Sequence, residues 1–184
     1  YGVPFYTENI GLVRNLKKAP KAPTTGAQIK NGELLVGTYG SVGGDPYHFY
    51  PVQSSFGAPV FDSTSKGWTS TLGMDGVQGT TFAKYLATKG QAFFGKADFG
   101  WDNAICGIKT GTLKYWITGP WAISSIEGGN SKCTAKSVVN VDFAISAIPS
   151  FGGKTAQQFM GVKGGMLTNS PSTDVVRATS LLTY

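Results

Sequence analysis

The sequence predicts a mainly β protein, an antiparallel β-sandwich, jelly-roll-like or partly closed barrel, with one short helix and an extended N-terminal arm. Three observations predict it. Residues 138–145 alternate, with Val139, Val141, Phe143 and Ile145 on one face and Asn140, Asp142 and Ala144 on the other, the period of two that a half-buried strand imposes. Glycine contributes 26 of 184 residues, roughly twice its usual ~7% share and without a collagen period, which suits many chain reversals. Eleven Phe, eight Tyr and four Trp fit strands better than helices.

In chain order, residues 1–10 (YGVPFYTENI) are aromatic but not periodic. Residues 14–25 (RNLKKAPKAPTT) set Pro20 and Pro23 among lysines; each proline removes a donor and keeps the residue before it out of helix, so this stretch reads as an extended arm. Residues 33–39 (ELLVGTY) are the first strand, followed by a glycine loop over 40–45. Residues 47–53 and 58–62 read as short edge strands because of Pro51 and Pro59, and 63–79 as a long Ser/Thr/Gly loop. Residues 81–88 are the helix, with Phe82, Tyr85 and Leu86 at i, i+3, i+4 and Gly90 to close it. Residues 91–99 return to strand. Over 104–145, Thr110-Gly111-Thr112 reads as a hairpin turn before the strand 113–118, and Gly128-Gly129-Asn130-Ser131 as a turn after 122–127. Residues 154–160 read as a helical turn or two, and 174–184 as a closing strand.

Length argues for one domain with a proper core: an arm over 1–30 and a β domain over 31–184. No apolar run approaches the ~20 residues of a membrane helix, and the first residues show no signal-peptide pattern. The net charge of +6 is uneven. Residues 1–30 carry Arg14, Lys17, Lys18, Lys21 and Lys30 against Glu8, a balance of +4, which leaves +2 for the rest. Cys106 and Cys133 are either a bonded pair or two buried thiols.

No constellation of residues spells out a reaction. His48 is the only histidine, no Gly-x-Ser-x-Gly elbow accompanies it, and Tyr47-His48-Phe49-Tyr50 reads as an aromatic strand. One His and two Cys fall short of a zinc set. Asp98 and Asp102, imagined as a glycosidase pair, read as turn carboxylates. The fragments Gly37-Thr38-Tyr39-Gly40-Ser41-Val42 and Asp98-Phe99-Gly100 imitate kinase motifs without a catalytic loop to join them. No enzyme, cofactor or metal is therefore expected.

The expectation is a structural subunit of a larger assembly: a virion component, as a capsid decoration (cement) protein or small coat protein. Its partners would be other copies of itself or a major capsid protein, contacted by Arg14, Lys17, Lys18, Pro20, Lys21 and Pro23 of the arm. Phosphate neutralisation by the same basic residues is the weaker reading, since there is no arginine tract; no membrane is expected. The alternatives are a secreted carbohydrate- or surface-binding module, with Trp68, Trp101, Trp116 and Trp121 stacking on sugar rings, and an extracellular pilus-like filament subunit in which residues 1–13 complete a neighbour's sheet.

Overall fold

Leu34-Leu35-Val36 and Tyr115-Trp116-Ile117 are runs with no polar residue to give to solvent, the pattern of strands covered on both faces. In the computed structural model they are neighbouring parallel strands. The structure describes residues 2–38, 45–94 and 100–166. In order, its elements are β1 (Gly2–Glu8), β2 (Gly11–Asn15), β3 (Leu34–Val36), α1 (Pro46–Ser54), β4 (Phe61–Thr64), β5 (Gly67–Leu72), α2 (Val77–Phe94), α3 (Trp101–Thr110), β6 (Tyr115–Thr118), α4 (Ile123–Gly128), β7 (Phe143–Ser146) and β8 (Gly161–Met166). They fall into two units: the elements within residues 10–159, and the strands β1 and β8.

The larger unit is built on a four-stranded sheet of order β3-β6-β2-β7. β6 runs parallel to β3 and antiparallel to β2, and β7 is antiparallel to β2. Alternation sorts the side chains of these strands between two cores. Leu12, Leu34, Val36, Tyr115 and Ile117 join Phe49 and Val52 of α1 and Phe93 and Phe94 of α2. Val13, Leu35, Trp116 and Phe143 join Ala104, Ile105 and Ile108 of α3 and Ile126 of α4. Helices therefore cover both faces. Asn15 fastens one of them: its side-chain amide donates to the Ile108 carbonyl at 2.7 Å, in the buried interior. Cys106 of α3 is bonded to Cys133, which answers the question the sequence left open.

The fold is mixed α/β rather than an all-β sandwich, with strand and helix in comparable amounts and no closed sheet among the described residues. The strands expected over 33–39 and 113–118 are present as β3 and β6. The helix expected over 81–88 lies inside α2, and the chain passes Gly90 at φ 62° before continuing to Phe94. Residues 47–53, residues 91–94 of the expected strand 91–99, and the stretches beside the two expected turns of the centre are instead helical. Residues 47–53 form α1, because the Asp45 carboxylate accepts from the His48 N–H at 3.2 Å and Pro46 occupies the first helical position. Residues 104–108 lie in α3, and Gly111, at φ 78°, is its left-handed stop rather than a hairpin turn. Residues 122–127 complete a short turn and form α4.

The alternation over 138–145 does not make one buried face. Residues 138–142 are a turn around Asn140 at φ 63°; Phe143 is buried, but Val141 and Ile145 are exposed. The loop expected over 63–79 holds the β4–β5 hairpin, and 154–160 has no helix. The glycine loop over 40–45 lies outside the described residues except for Asp45, as do 95–99 of the expected strand 91–99 and all of 174–184.

β1 and β8 form an antiparallel two-stranded ribbon. Tyr6 faces Lys163 in its register, and the pairing shifts by one residue around Phe5.

Candidate interaction surface

The ribbon of β1 and β8 is mostly apolar and exposed. Phe5 is 63% accessible, Tyr6 57% and Met166 76%, and Val162 is also exposed. Val3, Pro4, Val162, Gly164, Gly165 and Met166 line an open groove of ≈ 430 Å³ on it. The charges Glu8 and Lys163 pair at 2.9 Å. Among the described residues each strand has one neighbour and one outer edge without a strand partner. Such an edge is a template for another strand.

The basic residues divide into two kinds. Arg14, in β2, is half-buried: its Nε donates to Ser146 Oγ at 2.9 Å, and its Nη1 donates to the carbonyls of Ala19 and Pro20 at 2.6 and 2.8 Å. It ties β2 to β7 and to the turn that follows. Pro23 is buried, and Thr24 and Gly26 exchange backbone hydrogen bonds with Ser150. Lys17, Lys18, Pro20 and Lys21 are exposed.

The four tryptophans do not form one platform. Trp116 is fully buried, and Trp101 meets it at 5.5 Å with the rings inclined by 68°. Trp121 is 40% accessible, edge-on to His48 at 5.8 Å, and Trp68 is 72% accessible on β5.

His48 has a carboxylate partner: its Nδ1 lies 2.6 Å from Asp45 Oδ2, in a nearly buried pair. Its Nε2 is buried without a hydrogen-bond partner. Asp and His are two members of a triad whose third is a nucleophile. Both cysteines are consumed by their mutual bond, so neither offers a thiolate to His48 or to a zinc ion. No group of three or more His, Cys, Asp or Glu side chains comes together among the described residues. Asp102 opens α3 and accepts from Asn130 Nδ2 at 3.3 Å, whereas Asp98 lies outside the described residues. No helix among the described residues is long and apolar enough to cross a membrane. The ribbon and the Asp45–His48 pair had no signal in local sequence periodicity; the Asp45-Pro46 dipeptide was the cue for the latter's helix. No protein-family model matches the sequence.

Proposed function

We propose that the chain is a non-enzymatic structural subunit of a larger assembly, joined to neighbouring copies through the ribbon of β1 and β8. The setting its sequence suggests is a virus or phage particle, in which it serves as a decoration or small coat protein. The observation that carries the reading is the exposure of Phe5, Tyr6, Val162 and Met166 on a sheet that has two strands among the described residues. A two-stranded sheet is marginal in water by itself, and apolar side chains gathered on it gain from being covered. A strand or ribbon from a second copy meets both needs. Among the described residues the charges of the ribbon are Glu8 and Lys163, which pair and are neutral overall, and this favours a neutral protein partner over phosphate.

The test is the mass in solution by light scattering over a concentration series, for the full chain and for a Phe5→Ser, Tyr6→Ser double variant. The full chain should rise in multiples of 19.4 kDa, and the variant should remain at the monomer mass with an unchanged circular dichroism spectrum. A full chain that stays monomeric at every concentration, or a variant that associates as well, would sink the proposal.

A further inference from the structure

The β4–β5 hairpin and the segment 154–157 enclose a groove of ≈ 380 Å³, lined by Ser54, Ser63, Trp68, Lys154, Thr155 and Gln157 with Gly57 and Pro59. The volume is within the ~300–1,000 Å³ of small-molecule clefts. Trp68 and Ser63 are register partners across the hairpin, so their side chains leave the same face. One wall of the groove is thus a wide indole with a hydroxyl beside it.

The opposite wall is held in place by the end of α1. Ser54 Oγ accepts from the Gln157 N–H at 2.8 Å, and the Lys154 N–H donates to the Ser55 carbonyl, also at 2.8 Å. Ser55 Oγ accepts from the N–H groups of Phe151 and Gly152 at 3.1 Å each. The backbone of this wall is therefore fixed. Among the described residues, the side chains of Ser63, Lys154, Thr155 and Gln157 and the indole N–H of Trp68 make no hydrogen bond. A flat apolar surface flanked by hydroxyl, amide and ammonium groups, with no carboxylate in the lining, matches one chemistry in particular. A pyranose ring presents an apolar C–H face to stack and a rim of hydroxyls to bond.

We infer that this groove binds a pyranose of an oligosaccharide, with Trp68 stacking on the ring and Ser63, Thr155, Gln157 and Lys154 bonding its rim. The Lys154 ammonium serves a sugar hydroxyl or a uronate carboxylate equally. The lining of the site lies wholly within residues 10–159, and the ribbon of β1 and β8 belongs to the other unit. One lysine gives too little positive charge to follow a nucleic-acid backbone.

The experiment is calorimetric and fluorescence titration of the full chain with cellotetraose, tetragalacturonate and an (Ala-Pro)4 peptide as the competing class. Saturable binding of either sugar is expected, weakened about tenfold or more in Trp68→Ala and Gln157→Ala and retained in Trp121→Ala. Loss of tetragalacturonate alone in Lys154→Ala identifies the uronate as its source. Three results overturn the inference: no saturable binding of either sugar by the full chain up to about 10 mM, equal binding by Trp68→Ala, or binding of the peptide alone. Unchanged circular dichroism of the variants keeps loss of binding apart from loss of fold.

Discussion

The Trp116 indole N–H donates to the Gly37 carbonyl at 2.6 Å, in the buried interior where β3 ends beside β6. The Gly37 N–H in turn donates to the Ile117 carbonyl at 3.0 Å. One side chain therefore satisfies a polar group that the end of the strand would leave unpaired, and fills the second core with its ring. Phenylalanine at 116 would keep most of the volume but orphan the Gly37 carbonyl. Trp116→Phe is expected to cost about 2 kcal/mol, read as a lower urea midpoint with an unchanged slope. Gly37 itself sits at φ 66°, where a Cβ would run into the Asp45 carboxylate. Gly37→Ala should cost about 1–2 kcal/mol by the same measurement.

The bond between Cys106 and Cys133 closes 27 residues of chain, including all of α4. The segment it anchors has other ties: Asn130 Oδ1 accepts from the N–H groups of Lys132 and Cys133, and the Ser137 N–H donates to the Glu127 carbonyl. Constraint of the unfolded chain over such a loop is worth about 3 kcal/mol. A Cys106→Ser, Cys133→Ser variant should lose that much, and reductant should lower the urea midpoint of the full chain while leaving the variant unmoved. Equal midpoints for both proteins would show that the side-chain ties suffice.

How far the fold is legible in the sequence depends on how local its causes are. β3 and β6 are legible because Leu34–Val36 and Tyr115–Ile117 are short apolar runs with turn residues nearby. The core of α2 is legible because Phe82, Tyr85 and Leu86 share a face. α3 carries a helical signal, in that Trp101, Ala104, Ile105 and Ile108 recur at i, i+3, i+4, i+7, but the sequence reading follows the turn signal at 110–112 instead. Gly111 hides it, because a glycine after a helix and a glycine in a hairpin look alike until φ is known. α1 is hidden by Pro51 and its aromatic residues, which suit an edge strand; the cap at Asp45 outweighs them. The candidate surfaces are the least legible. β1 and β8 are more than 150 residues apart in the chain, and Trp68 and Lys154, on two sides of one groove, are 86 apart. No periodicity reports such pairings.

Arg14 distinguishes a structural from a partner-binding role among the basic residues. Its three hydrogen bonds join Ser146, Ala19 and Pro20, and a planar fork makes them where a single ammonium does not. Arg14→Ala should cost about 2 kcal/mol in urea unfolding, and Arg14→Lys should recover less than half of it. Lys17→Ala and Lys21→Ala, at exposed positions, should stay within about 0.5 kcal/mol of the wild type. An Arg14→Ala variant as stable as the wild type would release the residue for a partner.

The Glu33–Lys114 pair joins the approach to β3 with the approach to β6. Lys114 Nζ lies 2.6 Å from Glu33 Oε1, and the Lys30 N–H donates to Oε2 at 3.1 Å. Burial alone would raise the Glu33 pKa; the hydrogen bonds from Lys114 and Lys30 and their charges outweigh it and hold the carboxyl below its ordinary value. The bond to Glu33 raises the Lys114 ammonium against the opposing effect of burial. Because the folded Glu33 gives up its proton more readily than the unfolded one, its contribution is present above the ordinary carboxylate range and is lost as pH falls through the lowered value. Because folded Lys114 keeps its proton longer, its contribution is present below the ordinary ammonium range and is lost as pH rises through the raised value. The pair therefore stabilises the protein across neutral pH, by about 0.5–1 kcal/mol for a partly solvated bridge. Urea midpoints measured from neutral pH down to about pH 3, below the ordinary carboxylate range, should fall more steeply for the wild type than for Glu33→Gln, and ~1 M NaCl should shrink the difference. Parallel pH profiles for the two proteins would mean that the bridge contributes nothing to stability.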